Sequence, residues 1–381
     1  MKALVIAEKP SVARDIARVL KCQKSLNGAL EGDRYIVTWA LGHLVTLADP
    51  EDYDKKYKEW KMEDLPMLPD TFRLEVIKQS AKQFQAVKAQ LNRQDVDQVV
   101  IATDAGREGE LVARLILKKT GCKKPLKRLW ISSVTDKAIR DGFAHLKDGK
   151  DYEPLYDAAM SRAEADWMVG INATRALTCK YNAQLSCGRV QTPTLAMIAR
   201  REEQIRQFVP KPYYGLSMRA EGVRFQWKDE KSHSAQAFDK ERIQKLFDGL
   251  KGKEAVISSV KKAPKRTEAP LLYDLTELQR EASRRYDYSA KETLNIMQRL
   301  YENHKVLTYP RTDSRYLTAD ILPTIKERLR ACSIGPYKLL AGRLINQPLP
   351  AKPSFVNDKK VSDHHAIIPT EQFVQFDHMT I

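Results

Sequence analysis

Residues 3 to 7, ALVIA, form an unbroken apolar run rich in Val and Ile, bounded by Lys2 and by Glu8-Lys9-Pro10. That is the pattern of a strand buried on both faces of a parallel sheet. The period then changes: Val12, Ile16, Val19 and Leu20 recur at helical spacing, with Ser11 placed to cap the helix. QVVIATD repeats the plan with a strand at 98–102 and the loop TDAGREGE. The helix that follows turns Leu111, Val112, Leu115 and Ile116 inward and stops at Gly121. Between these units YIVTWALGHLVTL predicts a further strand and turn, and KRLWISSVT predicts a fourth strand near residue 130. Residues 1–150 are therefore expected to form one α/β domain with a parallel sheet.

Over 151–212 the pattern is helical, and DAAMSRAEADWMVGINATRAL carries few turn signals. After the proline-rich junction FVPKPYYG, alternation in GLSMRAEGVRFQW and EAVISSV predicts strands of a small β-rich segment spanning 213–268. The basic linker from Lys261 to Arg266 closes that segment, and a solvated surface suffices to explain it. Two helices open the last segment, 269–381. DLTELQREASRRY is expected to bury Leu275, Leu278, Ala282 and Tyr286; SAKETLNIMQRLYEN, capped by Ser289, is expected to bury Thr293, Ile296 and Leu300. This pair runs directly into KVLTYPRTDSRYL.

Composition adds a partner class. A chain of 381 residues exceeds what one hydrophobic core usually supports. Its 65 Lys and Arg against 49 Asp and Glu give a net charge of +16, which favours a polyanion. Five scattered cysteines, with no C-x-x-C pair, exclude a zinc ribbon or a disulfide framework and fit a reducing cytoplasm. No stretch approaches 18 uninterrupted apolar residues, so a soluble cytoplasmic protein is expected, with no membrane partner.

Glu8 and Asp104 both fall just past the C-terminal ends of predicted parallel strands, the edge where open α/β sheets bind ligands. Glu108 and Glu110 follow in the same loop and first helical turn. Clustered carboxylates of this kind suit Mg²⁺, which takes a few acidic oxygens together with water and phosphate. Simple complementation of a helix N-terminus is the competing explanation.

AEKPS followed by TDAGREGE resembles the Toprim domain, in which a strand-end Glu is followed by D-x-D-x-E. Glu8 matches the lone Glu, Asp104 the first Asp and Glu108 the closing Glu, while Gly106 stands where the second Asp would be. The rest of the chain resembles the type IA DNA topoisomerase family. LTYPRTDSRYL is similar to its active-site segment, LSCGRVQTPTLAMI to its G-R-V-Q segment, and SDHHAIIPT to its H-x-A-I-x-P-[ST] motif. YKEWKMEDLPMLP and the T-Y-P-R-T form are similar to the topoisomerase III branch. The family's core continues well beyond the H-x-A-I-x-P motif, so Ile381 is expected to be a cut rather than a natural terminus.

The resemblance implies a Toprim domain followed by parts of a toroidal gate, with the tyrosine on a helix-turn-helix-like domain. It implies ATP-independent, Mg²⁺-dependent breakage and rejoining of single-stranded DNA through a 5′-phosphotyrosine at Tyr309. Negatively supercoiled or catenated DNA would be the substrate, decatenation an outcome, and a monomer the working form.

A free phenol has a pKa near 10, so roughly one in a thousand is ionised at pH 7, and Tyr309 needs help to attack phosphorus. Arg311 is suited to bidentate phosphate binding, and Pro310 biases Tyr309 away from helix. Glu8 is the candidate donor of a proton to the leaving sugar hydroxyl, and Lys9 beside it is a candidate catalytic residue that offers positive charge together with Arg311. The resemblance assigns Mg²⁺ to Glu8, Asp104 and Glu108. Contacts to the DNA strand are expected from Ser186, Arg189, Gln191, Thr192, Arg107 and His364. Tyr316 is the nearest rival nucleophile, and His43 a possible neighbour of the acidic site. Two other functions stay open at this level: a single-strand-binding fragment without strand passage, and a Toprim nuclease that cuts without a tyrosine adduct.

Overall fold

The structure is a computed structural model, and it describes residues 1–361 and 364–373. The chain end at Ile381, expected above to be a cut, lies outside the described residues. The chain forms two units, one of residues 1–188 together with those from 269 onward, the other of residues 189–268.

In the first unit, β1 (Lys2–Ala7) leads into α1 (Pro10–Val19). Pro10 occupies the first helical turn and Lys9 the capping position, so Ser11 lies inside the helix rather than capping it. The chain then adds β2 (Lys24–Leu26), β3 (Ala29–Glu31), β4 (Tyr35–Trp39), β5 (Val45–Leu47), α2 (Pro50–Tyr53), β6 (Leu74–Val76) and α3 (Ala81–Leu91). The second strand-loop-helix unit is β7 (Val96–Ala102) and α4 (Arg107–Thr120), which stops at Gly121 in the left-handed conformation. β8 (Leu126–Arg128), α5 (Asp136–Ala144) and β9 (Lys147–Asp148) complete this part. The strand expected near 130 ends at Arg128, and the chain beyond it turns away as a loop.

The sheet order is β2-β3-β4-β1-β7-β8-β9. Its four central strands are parallel, and the β2-β3-β4 edge and the β8-β9 edge are antiparallel, so the sheet is mixed rather than wholly parallel. Alternation along β1 divides the core: Leu4 and Ile6 pack with α3 and α4, while Val5 and Ala7 pack with α1 and α5. Both faces are covered, as a parallel centre requires. β1 and β7 are neighbours, and their last residues, Ala7 and Ala102, are in register. Glu8 and Asp104 therefore leave the sheet side by side.

α6 (Glu153–Tyr181) runs on from the sheet domain. Thr174 and Thr178 on its last turns hold the following segment. The Thr174 hydroxyl accepts from the Cys187 N–H at 3.0 Å, and that of Thr178 donates to the Leu185 carbonyl at 3.0 Å. The second unit contains α7 (Gln191–Arg206), the antiparallel hairpin β10 (Ser217–Ala220) with β11 (Val223–Gln226), and α8 (Lys240–Leu250). Its hairpin turn is Glu221-Gly222, both at positive φ. The strand expected at 254–260 does not form: Val256, Ile257 and Val260 are exposed, and no described strand pairs with this stretch.

Back in the first unit, α9 (Leu275–Tyr286) and α10 (Ala290–Glu302) form the expected helix pair, and Ser289 with Glu292 closes a capping box. The buried face of α10 is Thr293, Met297 and Tyr301; Ile296 and Leu300 are only half-buried, and Tyr286 of α9 is exposed. The i, i+4, i+8 stripe won because Tyr301 reaches the sheet's second core cluster. α11 (Ile325–Ala331) and α12 (Lys338–Ile345) follow. Isolated bridges from Leu307 to Pro369 and from Tyr273 to Ile367 tie the 305–317 segment and the start of α9 to the 364–370 segment.

Candidate active site

The loop after β7 is fixed from beneath by a buried charge. Arg128 is wholly buried, donates to Glu110 Oε2 at 2.9 Å, and gives further hydrogen bonds to the Thr103 and Asp104 carbonyls at 2.7 Å each. Glu110, also wholly buried, accepts in addition from Arg114 at 2.7 Å. Glu110 is thus spent on scaffolding and is unavailable to a ligand. Gly109 lets α4 approach the loop: a Cβ there would stand 2.1 Å from the Asp104 carbonyl oxygen. Neither Gly109 nor Arg128 stood out in the sequence. The signal for Arg128 was an arginine at the end of an apolar strand, a charge that must be paired if buried.

On this support the Asp104 N–H donates to Glu8 Oε2 at 3.1 Å. Burial, and then the neighbouring Glu8 charge, push the Asp104 carboxyl up to about 6. Burial, and then the neighbouring Asp104 carboxylate, raise the Tyr309 phenol above its ordinary value, with Arg311 opposing. Tyr309 is held by its backbone, whose N–H donates to the Ser132 carbonyl at 3.0 Å, and by its ring. The ring stacks on His364 with centroids 4.3 Å apart and meets Tyr301 edge-on at 5.5 Å.

His364 is 5 % exposed, and neither ring nitrogen has a hydrogen-bond partner of good geometry. Burial lowers its pKa to about 4, the Ala105 backbone opposing, so the imidazole is neutral at pH 7. His365 is tied elsewhere, with Nδ1 2.7 Å from the Ala366 carbonyl and Nε2 3.4 Å from Ser132 Oγ.

A cavity of about 1000 Å³ is lined by Glu8, Lys9, Asp104, Arg107, Glu108, Tyr309, Arg311 and His364, joined by Arg162 from α6. Eight of the residues singled out in the sequence are therefore brought to one place. Lys9 pairs with Glu302 at the end of α10 rather than with Glu8. Glu108 lies 3.2 Å from Arg162 and 3.9 Å from His43. Tyr316 does not line the cavity; its hydroxyl accepts from Lys360 at 3.1 Å. Ser186 is exposed in the segment after α6, and Arg189, Gln191 and Thr192 belong to the second unit, at and before the start of α7.

Among the described residues no group of three His, Cys, Asp or Glu side chains is arranged to hold a metal ion. Glu8 and Asp104 nevertheless fit Mg²⁺, which is often held by two carboxylates with water and phosphate completing the shell. Beyond burial, the largest cause of the Asp104 shift, the Glu8 charge also raises that carboxyl, a repulsion that a cation would relieve. Gly106 supplies no further acid, while Glu108, exposed beside Arg162, lines the same cavity as Glu8 and Asp104.

Comparison with known proteins matches residues 3–134 to the Toprim domain and residues 150–379 to the DNA topoisomerase family. The DNA topoisomerase 3 of Bacillus licheniformis is 63% identical over 371 residues, covering 97% of this chain and 51% of that protein. The DNA topoisomerase 3 of Bacillus subtilis strain 168 is 60% identical with the same coverage. Full-length topoisomerase I from Thermotoga maritima shares the fold, with a TM-score of 0.65 and 24% identity over 96% of this chain and 55% of that one. The chain spans about half the length of the curated relatives it matches.

Proposed function

The chain belongs to the DNA topoisomerase family and carries its Toprim domain, and from that premise we propose that Tyr309 is the nucleophile of a type IA, topoisomerase III-like strand-passage reaction. The observation that carries this reading is the convergence of Tyr309 with Glu8, Asp104, Arg311 and Arg162 on one cavity.

The phenol oxygen attacks a backbone phosphorus of single-stranded DNA as its proton passes to Asp104, whose raised pKa makes it a better base than an ordinary aspartate. The P–O bond to the 3′ oxygen breaks, Glu8 supplies the proton to the departing hydroxyl, and the 5′-phosphate stays on Tyr309. Arg311, Lys9 and Arg162 are among the cations that line the cavity and are available to the phosphate oxygens; one positioned donor to a developing oxyanion is worth roughly 3 kcal/mol. His364, neutral and without a partner, has a ring nitrogen to offer the same phosphate. Glu108, with Asp104 while it is ionised and Glu8 once it has given up its proton, would hold Mg²⁺ and so order the strand. Rejoining reverses these steps, and no ATP is consumed because the phosphotyrosine conserves the bond energy. Ser186, Arg189, Gln191, Thr192 and Arg107 are assigned to the DNA backbone, in line with the net charge of +16. The substrates would be negatively supercoiled or catenated DNA in a bacterial nucleoid, acted on by a monomer.

The test is covalent trapping on a single-stranded oligonucleotide with Mg²⁺. Tyr309→Phe should abolish the adduct; an adduct that survives the change refutes the assignment. Cutting without any adduct would indicate a Toprim nuclease instead. A second reading is that this chain binds and cleaves single strands without passing a second strand through. Relaxation of negatively supercoiled plasmid by this chain would exclude it.

A further inference from the structure

The end of α10 presents an acid where a helix disfavours one. Glu302 is the last residue of α10, at the negative end of the macrodipole, where carboxylates are unfavourable. Its Oε1 accepts from Lys9 Nζ and also from Gln298 Nε2 one turn earlier. The carboxylate is largely buried at 17% exposure and the lysine less so at 30%. Lys9 lines the cavity, whereas Glu302 does not, so the ammonium stands between the space where a phosphate would enter and the acid that holds it. The residue before Glu302, Tyr301, meets the Tyr309 ring edge-on. Three residues beyond Glu302, Lys305 pairs with Asp15 of α1, so this turn is tied to the sheet domain by two ion pairs of opposite polarity.

We propose that Glu302, steadied by Gln298, is a positioning residue that holds Lys9 in a resting place from which a phosphate oxygen of the DNA backbone must displace it. Resting on the proposed function, this makes Lys9 a two-position cation: paired with Glu302 in the empty site, paired with phosphate in the loaded one. The exchange taxes binding, because each strand that docks gives up an ion pair to gain one. It also couples loading to the loosening of the α10 end from the sheet domain, since one of the two ties is then released.

Equilibrium binding of a fluorescent oligothymidine to the 381-residue chain tests this, with Glu302→Gln, Lys9→Ala and the double variant in a Tyr309→Phe background. Glu302→Gln should tighten binding roughly three- to tenfold, the size of one such charge interaction, because Lys9 is then free for phosphate. Lys9→Ala should weaken binding, and in its presence Glu302→Gln should have no effect. Weaker or unchanged binding by Glu302→Gln overturns the proposal. So does an equal gain in the Lys9→Ala background, which would show only the removal of a repulsive charge. Should Glu302→Gln melt well below the parent, Gln298→Met, which leaves the ion pair but frees the carboxylate, should tighten binding in the same direction by a smaller factor; no tightening again overturns it. Adduct formation by the parent chain is scored separately, so a failure of the nucleophile assignment is not confused with a failure of this one.

Discussion

The Asp104 N–H donates to Glu8 Oε2 at 3.1 Å, and the Asp104 carboxylate stands near enough to Tyr309 to raise its phenol. One acid thus meets the nucleophile through its charge and the second acid through its backbone. Burial and the nearby negative charge hold the phenol above its ordinary value, so the resting tyrosine is protonated at neutral pH. Reactivity is deferred until a phosphate and its cations lower the cost of the phenolate. A proton acceptor shares the cavity with the oxygen that must lose its proton.

Tyr309 and Tyr316 make a matched pair of controls. Tyr316 is tied to Lys360, by hydroxyl at 3.1 Å and with the ammonium 4.6 Å from its ring centroid, and lies outside the cavity lining. Tyr316→Phe should leave adduct yield on a single-stranded oligonucleotide within about twofold of the parent, since an exposed pair contributes little. Tyr309→Phe should give none, as read on a denaturing gel with labelled DNA.

Arg128 and Glu110 form a fully buried pair 2.9 Å apart. Arg128→Met takes one of two arginines from the buried Glu110 carboxylate and the donor from four backbone carbonyls, and should cost roughly 3–5 kcal/mol in denaturant unfolding. The compound change Arg128→Met, Glu110→Leu and Arg114→Leu should cost less than Arg128→Met alone, because no charge of this buried cluster is left behind. A compound cost equal to or above the single cost would mean that the carbonyl contacts, not the charge pair, carry the stability.

Gly109 is required by proximity rather than by φ. Gly109→Ala forces a methyl within 2.1 Å of the Asp104 carbonyl oxygen, so the loop must move. Overpacking of this kind costs about 1–3 kcal/mol. The loop carries Asp104, so adduct yield should fall by more than tenfold even where the protein remains folded by circular dichroism. Unchanged yield would show that the loop tolerates the shift.

The two strand-loop-helix units were legible because apolar runs such as ALVIA have no other home than a sheet centre. Glu8 and Asp104 were legible because strand ends point one way in a parallel sheet. What the sequence hid was long-range pairing. Nothing near Lys9 announces Glu302, and nothing in KRLW announces that Arg128 sits beneath the acidic loop. EAVISSV carried strand alternation, yet no described neighbour pairs with it, and alternation cannot make a ladder alone. On α10, Ile296 and Leu300 lost the buried face to Met297 and Tyr301, because a third element, the sheet, decided which stripe faced inward.

Asp104 and His364 titrate in opposite senses over the same range, and this yields the sharpest pH prediction. Asp104 is raised from 3.8 to about 6, so the stability it contributes is complete below pH 3.8 and is lost as the pH rises through 6. His364 is lowered from 6.5 to about 4, so its contribution is complete above pH 6.5 and is lost as the pH falls through 4. Each shift corresponds to about 3 kcal/mol across the interval, with opposite slopes, so in the parent chain the two largely cancel between pH 4 and 6. Asp104→Asn removes the falling slope, and its stability relative to the parent should climb by up to about 3 kcal/mol from pH 4 to pH 6.5. His364→Phe, which keeps a ring against Tyr309, should do the reverse. Urea unfolding in EDTA, compared as variant minus parent at each pH, cancels the other carboxylates and keeps metal out of the site. Parallel profiles for Asp104→Asn and the parent would show that Asp104 is not held protonated by its surroundings, and would remove the basis for its role as proton acceptor.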